Sequence, residues 1–464
     1  MAHSDLAVVG AGPAGMAAAV TAAEAGLSVT LLDEQPRPGG QIYRDVDRAA
    51  ARRGDILGAD FTVGVRLTGA LAQPGVAHVP GATVWAIEAG WRLLYTRDGR
   101  AAEVTADRVI LATGAMERPM PLPGWTLPGV MTAGAGQILL KQSGLVPREA
   151  VLVGCGPLLY LVAAQMVRAG VPPRALVETQ TKAELIAAFR HAGGALRNGP
   201  ALAKGLGLIA EIAGAGIDRH TGATDIAIDG EGQAEAVRFR AGGRVHRIPA
   251  RTVLLHHGVV PNTQAARSLG IAHRWDHGQH CFAPVLDGWG ETERAGLFIA
   301  GDGAGIAGAK AAEAAGRLAA LQAGRQAGRL SRGQRDRQAA PLRAALSRER
   351  ALRPFLDAAY PPHAPALRPP DATVVCRCEE VTAGDIRRYA TLGCTGPNQA
   401  KAFGRAGMGP CQGRYCGLTV TALLAEANRQ SPEATGYYRI RPPLKPVTLG
   451  ELAAMDAPAR DAAE

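Results

Sequence analysis

The sequence has 464 residues, which favours two or three domains over one. Hydrophobic residues make up 47% of it, enough for sizeable cores, and aromatic residues only 4%. The net charge of +10 is spread along the sequence rather than concentrated beside aromatic side chains, so composition argues against a nucleic-acid-binding protein. The densest basic stretch, residues 330–353, has the pattern of a solvated helical face, with a docking surface for an acidic partner as the alternative.

No segment has the pattern of a signal peptide or a membrane span. Residues 6–32 are apolar, but four glycines, a proline and Glu24 interrupt them and no basic region precedes them. Of the seven cysteines, five lie between residues 376 and 416, and this odd, clustered set favours a metal site in a reducing compartment over disulfides. We therefore expect a cytoplasmic protein, and peripheral association with a membrane stays open.

The N-terminal region predicts a dinucleotide site. A buried strand at 6–9 is followed by a G-x-G-x-x-G motif, an Ala-rich helix and a second strand at 29–32. In this arrangement the glycines allow a tight turn, close approach of a pyrophosphate and close packing of the helix, whose N-terminus faces the phosphates. An acidic residue that ends the second strand bonds the adenosine ribose and disfavours NADP. The candidates are Gly10, Gly12, Pro13, Ala14, Gly15, Asp33 and Glu34.

Three later segments favour FAD as this dinucleotide. They are PGGQIYR (38–44), VILATGAMERP (109–119) and GLFIAGDGAG (296–305). In the same order, they resemble the cofactor-binding segments of two-dinucleotide flavoproteins of the glutathione and thioredoxin reductase class. The resemblance implies that Asp302 hydrogen-bonds the ribityl chain of the flavin. The FAD contacts expected in these segments are Gly40, Gln41, Ala112, Thr113, Gly114, Gly301 and Asp302.

A second strand-turn-helix-strand pattern occupies residues 149–178. Gly154 and Gly156 keep their places, but Leu159 stands where the third glycine belongs, and Glu178 ends the second strand. A leucine at that position crowds a bound pyrophosphate. The pattern predicts a second Rossmann-like domain that is either a scaffold or the site of another nucleotide, ATP or NAD.

Four cysteines near the C-terminus predict an iron–sulfur site. Cys376-x-Cys378 and Cys411-x4-Cys416 are separated by 32 residues, and four thiolates are what a [2Fe–2S] cluster takes. Structural zinc also takes four, but its pairs are usually C-x2-C or C-x4-C at both ends. Cys394, between the pairs, is expected to be a packed core thiol, with an alternative ligand as the second interpretation.

Helices are predicted around this set, from Thr382 in a capping-box-like start, from Pro397, and after Cys416. We expect the glycines at 407, 409, 413 and 417 to let backbone N–H groups approach the sulfurs. Positive charge near a cluster is expected from Arg377, Arg405 and Arg414. The lone cysteines, Cys155 and Cys281, are expected to be buried thiols.

The whole sequence resembles the α, flavin-binding subunit of bacterial heteromeric amino-acid and amine dehydrogenases. That family includes the larger, flavin-binding chains of opine oxidase and of hydrogen cyanide synthase, and the α chain of D-hydroxyproline or proline dehydrogenase. The resemblance is strongest in LGCTGPNQAKAFGRAGMGPCQGRYCG (392–417) and RPPLKPVTLGELA (441–453). Residues 371–430 also resemble bacterioferritin-associated ferredoxin, whose second cysteine pair is usually C-x2-C.

The resemblance implies a division of labour between subunits. A β subunit that resembles D-amino-acid oxidase carries its own FAD and oxidises the substrate, while this chain accepts the electrons and has no catalytic residue of its own. In some relatives an FMN lies at the interface of the two chains, and a small ferredoxin-like subunit is a further candidate partner. Substrates of the D-hydroxyproline, proline, opine or glycine type stay open. The alternative is a self-standing NAD(P)H-dependent FAD/[2Fe–2S] oxidoreductase that serves an external acceptor.

The predicted fold class is α/β, a glutathione-reductase-like flavoprotein with two dinucleotide-binding domains and a small helical C-terminal [2Fe–2S] domain. We expect a discontinuous FAD domain at 1–120 and 285–330, and a second Rossmann-like domain at 121–284. A helical segment and a Pro-rich linker are predicted at 331–371, the [2Fe–2S] domain at 372–430 and a tail at 431–464, whose end we expect to be mobile.

Overall fold

The structure is a computed structural model and describes residues 2–455; the end of the predicted tail, 456–464, lies outside the described residues. The strands are Ala2–Ser4, Leu6–Val9, Val29–Asp33, Val76–Pro80, Thr83–Glu88, Arg92–Arg97, Arg100–Ala106, Val109–Leu111, Ala115–Glu117, Val130–Thr132, Val151–Cys155, Ala175–Glu178, Asp218–Thr221, Thr224–Asp229, Ala236–Ala241, Arg244–Pro249, Val253–His257, Val259–Pro261, His273–Asp276, Cys281–Pro284, Leu297–Ile299, Val374–Cys376 and Val381–Thr382. The α-helices are Pro13–Glu24, Val46–Leu57, Ala59–Thr62, Gly64–Ala70, Ala133–Ser143, Pro157–Arg168, Lys182–Ala188, Ala192–Leu196, Gly199–Gly214, Gln264–Ser268, Ala309–Gln326, Arg332–Ala351, Arg353–Ala359, Ala364–Leu367, Ala383–Thr391, Pro397–Gly404, Gly417–Ala427, Pro432–Thr435 and Leu449–Ala453, and two 3-10 turns span Phe189–His191 and Gly301–Ala304.

A five-stranded parallel sheet organises the first unit. Its strand Leu6–Val9 lies between Val29–Asp33 and Val109–Leu111, so the glycine-rich turn after Val9 opens at the carboxyl edge of the sheet. The helices Pro13–Glu24 and Ala309–Gln326 pack against each other over one face, in a core of small side chains. A four-stranded sheet built on residues 83–106 completes the unit.

A second five-stranded parallel sheet repeats the arrangement around the strand Val151–Cys155. A three-stranded antiparallel sheet over residues 224–249 accompanies it, as residues 83–106 accompany the first sheet. The chain passes between the units through one antiparallel pair, Ala115–Glu117 with Val259–Pro261. The predicted α/β fold with two Rossmann-like units is therefore confirmed.

The point at which the chain returns from the second unit to the first can be compared with the predicted domain boundary at residue 284. Ala265, Ala266 and Ile271 are buried in one hydrophobic cluster with Leu32 and Leu297 of the first sheet. This packing favours a return near residue 262, ahead of the boundary predicted at 284, because buried apolar contacts define which unit a segment belongs to. The boundaries themselves stay a prediction.

The C-terminal region is a small helical unit packed on the first. Thr382 and Asp385 form the capping box that starts the helix Ala383–Thr391, and Pro397 opens the next helix, both as predicted. The segment 360–371, predicted to be a linker, contains a helical turn with fully buried Ala366. Within residues 2–455, no helix is long and apolar enough to cross a membrane.

Candidate cofactor cavity and cysteine loop

One cavity of about 2160 Å³ opens at the carboxyl edge of the first sheet and extends to the second unit. Every candidate FAD residue except Gly15 lines it. Those that line it are Gly10, Gly12, Pro13, Ala14, Asp33, Glu34, Gly40, Gln41, Ala112, Thr113, Gly114, Gly301 and Asp302. Residues from four separate segments of the sequence therefore converge on a single space large enough for a dinucleotide.

The glycines of the first motif serve two different contacts. A Cβ on Gly15 would lie 1.8 Å from the carbonyl oxygen of Gly10, so this position must be glycine for the helix to pack on the turn. A Cβ on Gly12 would meet nothing nearer than the Cα of Gly40 at 3.8 Å, and its backbone φ is −76°. Gly12 is therefore needed only if a ligand occupies the cavity beside it.

The two acidic candidates have different surroundings. Asp33 is 6% exposed, and its carboxylate accepts hydrogen bonds from the backbone N–H groups of Ala11 and Gln35. Burial raises the pKa of Asp33. Glu34 faces the cavity mouth and accepts a 2.8 Å hydrogen bond from Nζ of Lys445. Asp33 thus supports the glycine turn, while both carboxylates line the cavity and stay candidates for the ribose contact.

Asp302 lies in the 3-10 turn that precedes the helix Ala309–Gln326. Its Oδ1 accepts N–H hydrogen bonds from Ala307 and Gly308, at 2.9 and 3.0 Å. These bonds fix the carboxylate at the cavity wall, next to the start of that helix. Its second oxygen can accept from a ligand hydroxyl.

Sequence reasoning missed two basic residues in the cavity wall. Lys141, on the helix Ala133–Ser143, is 4% exposed, and its ammonium donates to the carbonyl oxygen of Gln41 at 3.0 Å. Burial first, and then the charge of Arg44, lowers the pKa of Lys141 to about 7. Arg44 is 6% exposed and its buried Nε has no partner. The sequence offers a signal for each residue. Arg44 is the last residue of the FAD-like segment PGGQIYR, and Lys141 is the single charged residue in the helix Ala133–Ser143.

The helix Pro157–Arg168 after the second glycine turn lines the same cavity, but the acid of this second motif is already occupied. Glu178 is fully buried, and its carboxylate accepts two hydrogen bonds of 2.9 Å from Arg219. Tyr160 and Gln180 donate to the same carboxylate at 2.5 and 2.8 Å. With four donors on its two oxygens, Glu178 has little capacity left for a ribose hydroxyl. Leu159, at the third motif position, is buried in the core behind the turn.

The lone cysteines and the paired histidines are buried. Burial raises the pKa of Cys281 to about 11, and the Cys155 thiol donates to the carbonyl of Pro361 at 3.3 Å. Nδ1 of His256 lies 2.7 Å from a carboxylate oxygen of Glu117, and Nε2 of His257 lies 2.8 Å from the carbonyl of Pro119. The two thiols are thus inert and buried, as predicted for lone cysteines.

The four candidate ligand cysteines lie near enough to one another to affect each other's ionisation. The Cys416 side chain first, and then three backbone N–H groups against the effect of burial, lower the pKa of Cys376 to about 6. Burial first, and then the neighbouring thiols Cys411 and Cys376, raise the pKa of Cys378. All four are free thiols, as is Cys394, which is fully buried and donates to the carbonyl of Gly396. Among residues 2–455, no group of three or more His, Cys, Asp or Glu side chains is arranged to hold a metal ion.

The donor set nevertheless fits an iron–sulfur group in its chemistry. The sulfur of Cys376 accepts an N–H hydrogen bond from Gly407 at 3.4 Å, as predicted for that glycine. A side chain on Gly409 would strike the Cβ of Cys378. Iron–sulfur clusters are held by cysteine thiolates whose sulfurs accept hydrogen bonds from backbone N–H groups.

Some predicted functions around the cysteines are wrong. A Cβ on Gly413 would strike the ring of Tyr438, and one on Gly417 the ring of Tyr437, so these glycines make room for tyrosines rather than for N–H to sulfur bonds. Arg405 forms an ion pair with Glu379 at 2.7 Å, and its role beside the sulfurs stays a prediction. The difference arises because a glycine's neighbour in space cannot be read from its neighbours in sequence.

A C-terminal strap, residues 443–445, joins the cysteine loop to the cavity. Gln412 donates to the carbonyl of Pro443, and Arg414 to the carbonyl of Leu444. Leu444 in turn donates its N–H to the carbonyl of Trp85 at 2.6 Å. Because Arg414 and the strap residues Leu444 and Lys445 also line the cavity, the loop that carries two cysteines contacts the wall of the dinucleotide site.

Comparisons with known proteins agree with this architecture. Residues 4–323 match the family described as pyridine nucleotide-disulphide oxidoreductase, and residues 371–456 match the sarcosine oxidase A3 domain. The A-type subunit of opine oxidase from Agrobacterium tumefaciens is 46% identical over 98% of this chain and 92% of its own length. The chain belongs to this opine oxidase family. The HcnB subunit of hydrogen cyanide synthase from Pseudomonas aeruginosa is 32% identical over 95% of this chain and 96% of its own length.

Solved structures support the fold of this family member. L-proline dehydrogenase from P. horikoshii superposes with a TM-score of 0.72 at 19% identity, over 97% of this chain and 79% of that one. Thioredoxin reductase from T. acidophilum superposes with a TM-score of 0.51 at 20% identity, over 70% of this chain and 99% of that one. The family is that of an FAD-type oxidoreductase subunit, so the predicted resemblance is confirmed. The likeness of the C-terminal unit to bacterioferritin-associated ferredoxin stays a prediction.

Proposed function

We propose that the chain is the electron-carrying subunit of a heteromeric amino-acid or opine dehydrogenase, with FAD in the cavity and a [2Fe–2S] cluster on the cysteine pairs. It accepts electrons from a β subunit that resembles D-amino-acid oxidase. The relatives from opine oxidase are named as one of several subunits, which supports the existence of a partner chain. The substrate is of the opine, D-hydroxyproline, proline or glycine type. An interface FMN and a small ferredoxin-like subunit complete the candidate assembly, in the cytoplasm.

The observation that carries this proposal is the contact between the cysteine loop and the cavity. Arg414 lies three residues after Cys411 and lines the cavity, while its guanidinium holds the strap at Leu444. The loop therefore cannot be separated from the dinucleotide site without breaking buried contacts. Such a fixed arrangement is expected of two redox groups that exchange electrons.

The C-x-C spacing of Cys376 and Cys378 favours iron and sulfide over a single zinc ion, whose cysteine pairs are usually C-x2-C or C-x4-C. A [2Fe–2S] cluster has two metal atoms, each held by two thiolates, whereas structural zinc gathers four ligands around one centre. Cys376, Cys378, Cys411 and Cys416 supply the four thiolates that such a cluster takes. When bound, FAD exchanges two electrons with a donor and a [2Fe–2S] cluster one at a time.

The chain's own residues bind and orient rather than catalyse. The turn at Gly12 and Gly40 leaves room for a diphosphate, Asp302 offers a fixed carboxylate to a ligand hydroxyl, and the strap covers the end of the cavity at Glu34. No proton-transfer step on an amine is assigned to this chain, since the substrate site is proposed to lie on the partner.

The self-standing NAD(P)H-dependent reductase is the less favoured alternative. Such an enzyme needs an accessible ribose acid in the second glycine unit, and Glu178 is fully buried under Arg219 and Tyr160. The second unit then serves as a scaffold or takes an adenine nucleotide through other contacts. We expect NADH to reduce the bound flavin slowly or not at all.

Co-purification of the native complex tests the proposal. The tagged chain should bring down a flavoprotein partner, and the complex should reduce an artificial acceptor with an opine or proline-type substrate, while the chain alone should not. The same preparations are mixed with NADH anaerobically. Amine oxidation by the isolated chain, or rapid flavin bleaching by NADH, would contradict the division of labour.

A further inference from the structure

Arg44 and Lys141 are two buried basic side chains without a direct ion-pair partner; the charges of Asp33, Glu34 and Asp45 act on Arg44 only from a distance. Both line the dinucleotide cavity, and each lies within the electrostatic reach of the other. In the part of the chain that the structure describes, neither forms an ion pair. A buried unpaired cation costs folding free energy unless a partner neutralises it, so an anion is expected to bind between them.

The acids nearest to Arg44 are already in use. Asp33 accepts from two backbone N–H groups, and Glu34 is paired with Lys445. Asp45 forms an ion pair with Arg37. None of the three reaches the guanidinium, whose buried Nε makes no hydrogen bond. An acceptor for this nitrogen can come from a ligand in the cavity that Arg44 lines.

Lys141 is short of acceptors in the same way. An ammonium has three N–H donors, and the structure offers it the carbonyl of Gln41 and, at 5.6 Å from the ring centroid, the face of Phe61. Gln41 follows Gly40, the residue that faces the Gly12 turn. The ammonium thus lies beside the segment that borders the N-terminus of the helix Pro13–Glu24.

We propose that Arg44 and Lys141 together bind the diphosphate of FAD, opposite the Gly12 turn. Lys141 belongs to the helix Ala133–Ser143, which follows the first strand of the second sheet, and Arg44 to the first unit. The diphosphate is then held between the two units, so that binding of FAD also fixes the second unit against the first. This inference rests on the proposed FAD site but not on the electron-carrying role.

Ligand affinity of the deflavinated full chain tests the pair. For Lys141→Met and Arg44→Met, FAD and ADP should each bind about 10- to 100-fold more weakly, since each variant loses charge-assisted hydrogen bonds. Riboflavin, which has no phosphate, should bind as in the wild type, and Arg44→Lys should recover part of the loss. Lys204→Met is the matched control, because Lys204 lines the same cavity but is already paired with Asp60.

The outcomes separate this inference from the proposed function. If the wild-type chain binds no FAD, the proposed function fails. If it binds FAD and both methionine variants stay within twofold of it, only the role of the pair fails. Weakened FAD with unchanged ADP would place the cations at another part of the cofactor and overturn the diphosphate assignment. A lower melting temperature of the ligand-free Lys141→Met variant would also overturn it, since it would mean that the ammonium has its partner within the chain.

Discussion

Lys445 donates a 2.8 Å hydrogen bond from Nζ to Oε2 of Glu34, across 411 positions of the sequence. This ion pair fastens the strap over the mouth of the dinucleotide cavity, on the side of the cysteine loop. Both side chains are partly exposed, 36% for Lys445 and 45% for Glu34. The pair is therefore expected to contribute less than about 1 kcal/mol and to weaken with salt.

Reversal of the charge at the strap should loosen the cavity mouth. Lys445→Glu places two carboxylates together, so we expect FAD to dissociate about two- to fivefold faster at low salt, with the difference lost at high salt. Stopped-flow recovery of flavin fluorescence measures the rate. Lys182→Glu, at the exposed start of the helix Lys182–Ala188, is the control and should change nothing. A salt-independent effect, or an equal effect of the control, would show that the strap does not act through this ion pair.

Alanine substitutions at Gly12 and Gly15 should have different effects on folding and on FAD binding. Gly12→Ala has room within the protein and should keep the melting temperature of the ligand-free wild type while losing FAD, because the methyl group occupies the space of the ligand. Gly15→Ala forces the helix off the turn, since its Cβ would lie 1.8 Å from the carbonyl oxygen of Gly10, and should lower both stability and flavin content. Thermal unfolding and flavin absorbance measure the two effects. Full flavin content in Gly12→Ala would place the dinucleotide elsewhere.

Removal of Arg219 should destabilise the second unit. Arg219→Met leaves the fully buried carboxylate of Glu178 without its bidentate partner, and we expect a loss of about 3–5 kcal/mol in the free energy of unfolding. The double variant with Glu178→Gln should recover much of it. Arg240→Met, whose partner Asp225 is exposed, serves as the control and should cost less than about 1 kcal/mol. Denaturant unfolding measures the free energy of unfolding of the three variants. If Arg219→Met costs no more than the control Arg240→Met, Arg219 does not hold Glu178.

Lys141 should make the stability of the ligand-free chain depend on pH. Its pKa falls from 10.5 to about 7 on folding, because of burial and of Arg44. Between these values the unfolded chain carries a proton that the folded chain lacks, so stability rises as pH rises from about 7 to about 10. Lys141→Met removes this dependence. Its stability advantage over the wild type, a few kcal/mol at about pH 6.5, should shrink towards pH 9.5; an advantage independent of pH would contradict the lowered pKa.

The sequence predicts the parts of this structure that depend on local spacing. The glycine motifs, the acid at Asp33 and the capping box at Thr382 are short-range patterns, and each lies at its predicted position. The partner of Glu178 is 41 residues away, and the strap reaches Glu34 from the far end of the chain. Such contacts depend on tertiary packing, which a single sequence does not display. The same reason explains why spacing alone assigns Gly413 and Gly417 to sulfur contacts instead of to tyrosine rings.

The composition of the anaerobically purified chain tests the central claim most directly. The proposal predicts one FAD, two iron atoms and two acid-labile sulfides per chain. Replacement of Cys376, Cys378, Cys411 or Cys416 by serine should remove the iron, whereas Cys394→Ser, the buried thiol outside the pairs, should keep it. Zinc in place of iron, with no labile sulfide, would contradict the account.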